Sequence, residues 1–122
     1  LKGALMRFEQ LDVWKRASRL SCQIYQVTES VSNWGFKDQI TRSGLSVPSN
    51  IAEGEERETL KDQIRFLYYA KGSLGELVTQ LYIGIEVGYL AKEPTLLMVQ
   101  EAKELAKILG AIIKQKQSKS KS

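Results

Sequence analysis

Apolar residues recur at steps of three and four along the chain, and this periodicity limits the possible folds more than any other feature. The first segment shows it at Phe8, Leu11, Trp14, Ala17, Leu20, Ile24, Val27 and Val31. Residues spaced in this way share one face of an α-helix, whereas a half-buried strand needs alternation at every second residue. The sequence shows no such alternation, and only two of its 122 residues are prolines. The pattern therefore predicts an all-α protein.

The same spacing continues through three further segments. A second helix is expected over about residues 36–52, and Pro48 inside it predicts a kink because proline removes a backbone hydrogen bond. Thr59 is placed to cap a third helix of about thirty residues. Pro94 suits the first turn of a fourth helix. Four helices joined by short loops predict an antiparallel up-and-down four-helix bundle.

Charge and composition divide the chain into three parts. The net charge is +4, and Lys114, Lys116, Lys119 and Lys121 supply four positive charges close to the end of the chain. Residues 8–113 are expected to form the bundle, and the Lys/Ser-rich residues 114–122 are expected to be a disordered tail. Residues 1–7 form a lead in which Met6 is interpreted as the natural first residue and residues 1–5 as an addition.

The composition excludes several kinds of chemistry. The sequence contains no histidine, which excludes His-based metal sites, catalytic triads and proton shuttles. It contains no Gly-x-x-x-x-Gly-Lys phosphate loop, and Cys22 is its single cysteine. We therefore expect no enzymatic activity, no metal, no cofactor and no membrane span, and a cytoplasmic location.

Polar residues on the second and third helices form faces that a simple bundle would not need. They share helical spacing across the two segments and are Gln39, Arg42, Ser46, Asn50, Glu53, Ser73, Glu76 and Gln80. One interpretation is a hydrogen-bond network inside the bundle, with Arg42 pairing with Glu76 or Glu53. The other is a polar interface between subunits, where such groups fix the register. The sequence leaves both interpretations open.

Apolar and small residues lie where a monomer would not require them. Apolar positions away from the main stripes are Val13, Tyr25, Leu45, Phe66, Tyr68, Tyr69, Val78, Tyr82 and Ile83. Gly72, Gly75 and Gly84 each cost the third helix about 1 kcal/mol relative to alanine, unless close helix packing compensates. The surplus apolar and small residues on the second and third helices therefore predict that the chain self-associates.

Two stretches and the start of the first helix carry a resemblance to known proteins. The first stretch is residues 46–54, with further matches within residues 38–43. The second is most of residues 66–81, followed by residues 88–90. The matching start comprises Phe8, Leu11, Val13 and Trp14. In these residues the chain resembles the four-helix bundle family of 23S ribosomal RNA intervening-sequence proteins.

The resemblance covers about residues 8–113 and departs from the family at the first interhelix loop. Members often carry Phe-Pro followed by Glu there, whereas this chain has Asn33, Trp34, Gly35 and Phe36. The resemblance implies a homopentamer around a central channel and a link to RNA, because such genes occur inside ribosomal RNA genes. It also implies kinship with bundles that serve reverse transcriptases as accessory subunits, and it supplies no catalytic residues.

Two functions follow as hypotheses. The first is an RNA-binding homo-oligomer, with candidate nucleic-acid contacts at Arg7, Lys15, Arg16, Arg19, Lys114, Lys116, Lys119 and Lys121. The second is a protein-interaction scaffold, or an accessory subunit of a nucleic-acid-handling enzyme, that makes no direct nucleic-acid contact. The basic tail favours the first hypothesis, whereas residues 1–113, with 14 positive and 14 negative side chains, weigh against it. The excess apolar and tyrosine surface of the third helix favours the second hypothesis.

Overall fold

A computed structural model describes residues 3–120 as a bundle of four α-helices. A short 3-10 helix, Arg7–Gln10, precedes them. The helices are α1 (Asp12–Thr28), α2 (Trp34–Glu55), α3 (Leu60–Glu86) and α4 (Lys92–Ser120). Each helix packs on the next along the chain, and α1 also contacts α4, while no strand occurs among the described residues. The predicted all-α, antiparallel four-helix bundle is confirmed.

Side chains that bond to free backbone amides define where two of the helices begin. The Thr59 hydroxyl accepts a hydrogen bond from the backbone N–H of Asp62 at 3.1 Å, so the predicted N-cap of α3 is confirmed. Asn33 caps α2 by accepting from the Phe36 backbone N–H at 2.9 Å. Because of this cap, Trp34 and Gly35 lie inside α2 and not in the preceding loop, which ends at Asn33.

The predicted helix faces meet in one core. Its buried centre includes Leu20, Ile24, Ile40, Leu74 and Leu105, each at most 2% exposed. Burial of one such side chain stabilises the fold by about 1.5–3 kcal/mol. On α4, Leu97 is 68% exposed, whereas its neighbours Met98 and Val99 are buried in the core. No helix within residues 3–120 is both long and apolar enough to cross a bilayer.

The C-terminal segment corrects the expectation of a disordered tail. Residues 114–120 continue α4 without a break. Ile113 is buried, and one turn later the Lys116 Nζ donates a hydrogen bond to the Gln63 side chain of α3 at 2.9 Å. Lysine and glutamine are also good helix formers. The expectation relied on charge and serine content and overlooked both effects; Lys121 and Ser122 lie outside the described residues.

The glycines of α3 differ in what surrounds them. A Cβ added at Gly84 would lie 2.5 Å from Leu90 Cδ1 and 2.9 Å from Phe36 Cζ, so close packing requires glycine there. Added at Gly72 or Gly75, a Cβ would meet nothing within 4 Å. The expected compensation by close packing is therefore found at Gly84 only. Both other glycines lie on the exposed surface of α3.

Candidate interaction surfaces

A polar groove runs between α2 and α3. It has a volume of about 320 Å³ and is lined by Gln39, Arg42, Ser43, Ser46, Glu76 and Gln80. The hydroxyls of Ser46 and Ser73 form a hydrogen bond across the two helices. Most of the predicted polar set is thus brought together along one groove, which we call the α2–α3 groove.

The ion pairs predicted within this set do not form. Arg42 pairs with Asp38, one turn earlier on its own helix, at 3.0 Å and not with Glu76 or Glu53. Glu53 pairs with Arg57 at 3.4 Å. The Asn50 side-chain amide donates to the backbone carbonyl of Ser46 at 2.9 Å. Partners four residues apart on one helix are reached at a smaller entropic cost than partners on another helix, so the local pairs prevail.

Gln80 has a buried acceptor that the chain itself does not satisfy. Its Oε1 is buried, and no donor within residues 3–120 reaches it. A buried polar atom without a partner costs about 1–3 kcal/mol. Gln39, Arg42 and Glu76 beside it are exposed, with both charge signs present. The α2–α3 groove therefore faces outward and contains one buried acceptor that has no donor among residues 3–120.

The basic residues predicted on the first helix are divided between ion pairs and open surface. Arg16 bridges α1 and α4 by donating to both carboxylate oxygens of Glu101, at 2.6 and 3.0 Å. This hydrogen bond lowers the pKa of Glu101, and the same contact raises the pKa of Arg16. Arg7 contacts Glu55 at 3.3 Å. Lys15 and Arg19 are exposed.

The basic residues predicted in the tail lie on the last turns of α4. Lys114 and Lys119 are exposed, and Lys116 is half-buried against Gln63. Lys121 is outside the described residues. Residues 103–120 contain five lysines, because Lys103 and Lys107 precede Lys114, Lys116 and Lys119 on α4. Glu104 is the single carboxylate in this range. The C-terminal half of α4 is therefore a rigid basic element.

A second groove, between α3 and α4, was missed by the sequence analysis. It has a volume of about 520 Å³ and is lined by Tyr68, Lys71, Gly72, Leu74, Gly75, Val78, Ala102, Lys103 and Ala106. No carboxylate is among these residues. Gln117 of α4 donates to the Tyr68 hydroxyl at 3.4 Å, and Lys103 donates to the Tyr82 hydroxyl at 3.0 Å. We call this cationic surface the α3–α4 groove.

A signal for this groove was present in the sequence. Lys103, Lys107, Gly110, Lys114 and Gln117 follow steps of four, three, four and three, so they share one face of α4. A Cβ added at Gly110 would lie 3.8 Å from Lys71 Cε, which shows that this face is turned towards α3. Only pairing the two helices in three dimensions places Lys103 beside Tyr82 and Gln117 beside Tyr68.

The surplus apolar residues are mostly exposed. The six that are exposed, each between 43% and 49%, are Tyr25, Leu45, Tyr68, Tyr69, Tyr82 and Ile83. Val13 is an exception to the expectation because it is buried in the core, and Phe66 and Val78 are half-buried.

Within residues 3–120, no group of three or more acidic or thiol side chains is arranged to hold a metal ion.

Comparisons with known proteins identify the family to which this four-helix bundle belongs. No curated protein matches the chain. A solved structure of a protein of unknown function from the S23 ribosomal protein family of Bacteroides thetaiotaomicron is similar, with a TM-score of 0.79 and 26% identity. The match covers 84% of this chain and 98% of that one. The family model described as 23S rRNA-intervening sequence protein matches residues 9–111. The chain therefore belongs to the family of 23S rRNA-intervening sequence proteins.

Proposed function

We propose that this protein is a non-enzymatic homo-oligomer that binds RNA. The observation that carries the RNA part is the basic half of α4, whose residues 103–120 contain five lysines and a single carboxylate. Lysines held on a helix keep fixed spacings, so they can contact successive phosphates without first being ordered. The family name, which refers to sequences inside ribosomal RNA genes, supports RNA as the polyanion. A cytoplasmic location is part of the proposal, because ribosomal RNA is made there in bacteria.

Self-association is supported by the outer surfaces of α2 and α3. The buried Oε1 of Gln80 has no donor within residues 3–120, and a neighbouring copy could supply one. Leu45 and Ile83 are each 49% exposed, which is apolar area that association would cover. The pentamer implied by the resemblance would carry a net charge of about +20, given +4 for each chain. Several weak phosphate contacts on one assembly then add through avidity.

The test of RNA binding is a salt titration with a mixed-sequence RNA, followed by fluorescence anisotropy. Phosphate contacts predict that affinity falls by about 0.7 log units per log unit of salt for each phosphate neutralised on a single strand. Lys114→Gln should remove one such contact and so reduce that slope by about 0.7 log units per log unit of salt. Lys92→Gln, at the opposite end of the same helix, is the matched control and should leave the slope unchanged. Wild-type protein that fails to bind RNA at low salt would refute RNA binding.

Self-association is tested separately by light scattering. Each chain has a mass of 13.8 kDa, so a pentamer would have a mass of about 69 kDa. A monomer at micromolar concentration would refute the oligomer. A stable assembly that binds no RNA would favour the alternative function, a scaffold or accessory subunit for a nucleic-acid-handling enzyme.

A further inference from the structure

We propose that the α3–α4 groove binds an unpaired RNA strand, with bases stacked on Tyr68 and Tyr82 and phosphates bound by the lysines between them. This inference rests on the proposed RNA binding and specifies which form of RNA is bound and where. It differs from the contacts expected on or near α1, where Arg16 of α1 and Arg7 of the 3-10 helix are engaged by carboxylates.

The two tyrosines are exposed and held in place from α4. Tyr68 is 49% exposed and Tyr82 is 43% exposed. Their hydroxyls accept hydrogen bonds from Gln117 and Lys103, which restrains both rings. Lys103 lies 5.5 Å from the centre of the Tyr82 ring and 3.0 Å from its hydroxyl, so its ammonium group sits at the hydroxyl edge of the ring and does not cover the ring faces. A restrained ring loses little entropy when a base stacks on it.

The distance between the tyrosines suits a strand and not a single nucleotide. They are 14 residues apart on α3, which corresponds to about 21 Å at 1.5 Å per residue. Lys71 and Lys103 line the groove together with Tyr68, and Lys103 reaches from the groove to the Tyr82 hydroxyl. An unpaired strand that follows the groove would place bases at both ends and phosphates in the middle.

The charge of the surface supports a nucleic acid as the occupant. A neighbouring cavity of about 570 Å³ shares Tyr68 with the groove and is lined by Lys61 and Arg65. Its one carboxylate, Asp62, pairs with Arg65 at 3.2 Å. The joined surface therefore has four cations and one carboxylate, which complements a phosphate backbone.

The floor of the groove has space for flat rings. Gly72 and Gly75 lie on it, and nothing occupies the 4 Å around the position of a Cβ at either residue. Glycine in a helix costs stability, and no packing within the described residues uses the space that these two leave. Unpaired bases can enter such a groove and stack on aromatic rings, whereas the bases of an RNA duplex are already stacked and its major groove is too narrow for side chains.

The experiment compares a labelled single-stranded RNA with the same strand in a duplex, using fluorescence anisotropy. The Tyr68→Leu/Tyr82→Leu double variant should bind the single strand more weakly, by about 5- to 150-fold for each stacked base lost. Its binding to the duplex should be unchanged. Tyr68→Phe keeps the stacking ring but loses the hydroxyl that Gln117 contacts, so it should lose much less affinity than Tyr68→Leu. Tyr25→Leu, which alters a tyrosine that is 48% exposed on α1, is the matched control and should retain wild-type affinity.

Each other outcome has a defined meaning. Unchanged single-strand binding by the double variant, or an equal loss for Tyr25→Leu, would overturn the inference. A wild-type preference for the duplex would overturn it too, while RNA binding itself would stand. Wild-type protein that binds neither RNA would refute the proposed function as well. A polyglutamate peptide that competes with the RNA at equal charge would overturn the inference in favour of an acidic protein partner.

Discussion

The two grooves that flank α3 differ in charge and in chemistry. On the α2 side, Arg42 and Glu76 balance each other, and Gln80 contributes a buried acceptor without a partner. On the α4 side, Lys71 and Lys103 have no carboxylate beside them in the groove. One helix thus presents a neutral hydrogen-bonding surface to one side and a cationic aromatic surface to the other.

This difference indicates two kinds of partner. Mixed charges and single polar atoms fix the register between protein surfaces, where a donor must meet a particular acceptor. Uncompensated lysines beside tyrosines suit a phosphate backbone with attached bases. A helix with two such surfaces can join copies of the chain on one side and bind RNA on the other.

The largest expected effect on folding concerns the glycine that the fold requires. Gly84→Ala places a methyl group within 2.9 Å of both Leu90 and Phe36. Overpacking of this kind should lower the free energy of unfolding by about 1–3 kcal/mol. Urea denaturation followed by circular dichroism measures the change. Stability equal to or above that of the wild type would show that this end of α3 is looser than described.

Gln80→Leu tests the α2 side of the comparison. If a second copy donates to Gln80 Oε1, the substitution leaves that donor unpaired at a cost of about 1–3 kcal/mol. The concentration at which the assembly dissociates should then rise by about 5- to 150-fold, as measured by analytical ultracentrifugation. Gln100→Leu on the exposed surface of α4 is the control. An unchanged assembly containing a more stable subunit would exclude the α2–α3 groove as the contact.

Glu101→Gln tests the contact between α1 and α4, which lies outside both grooves. Because the pKa of Glu101 is lowered in the fold, its stabilising contribution is present above the ordinary carboxyl pKa. That contribution is lost as the pH falls through the lowered value. At pH 7 the variant should be less stable by about 1 kcal/mol, and the difference from wild type should vanish in acid. Denaturation at a series of pH values measures this, and a constant difference would contradict it.

The smallest expected effect is a gain in stability on the α4 side. Gly72→Ala and Gly75→Ala add a methyl group in open space and should each stabilise the fold by about 1 kcal/mol. Because the same methyl groups narrow the groove, affinity for single-stranded RNA should fall. Thermal melting and anisotropy on the same samples separate the two effects. Variants that gain stability and keep full RNA affinity would show that the groove floor is not used.

The sequence predicts the helices well because their apolar spacing is a local property. Thr59 as a cap and Pro94 in a first turn are likewise decided within a few residues. The prediction of a disordered C-terminal tail was wrong because Lys116 reaches Gln63, which is 53 residues away along the chain. Composition alone does not reveal such a contact.

The candidate surfaces were only partly predictable. Helical spacing placed Gln39, Ser46 and Gln80 on faces that do meet, because both periodicities are local. It misassigned Arg42, whose nearest carboxylate belongs to Asp38 on the same helix. The α3–α4 groove exists only when Tyr68 meets Gln117 and Tyr82 meets Lys103, so it depends on the register between two helices.

The central claim is that α3 joins copies of the chain on its α2 side and binds RNA on its α4 side. The most direct test is to measure RNA affinity and assembly mass on one variant, Lys71→Gln/Lys103→Gln. We expect weaker single-strand binding, a salt slope reduced by about 1.4 log units per log unit of salt, and an unchanged mass by light scattering. Lys37→Gln/Lys92→Gln removes the same charge at positions that line neither groove and should change neither quantity. RNA affinity that stays at the wild-type value, or an assembly that falls apart, would contradict the division of roles between the two grooves.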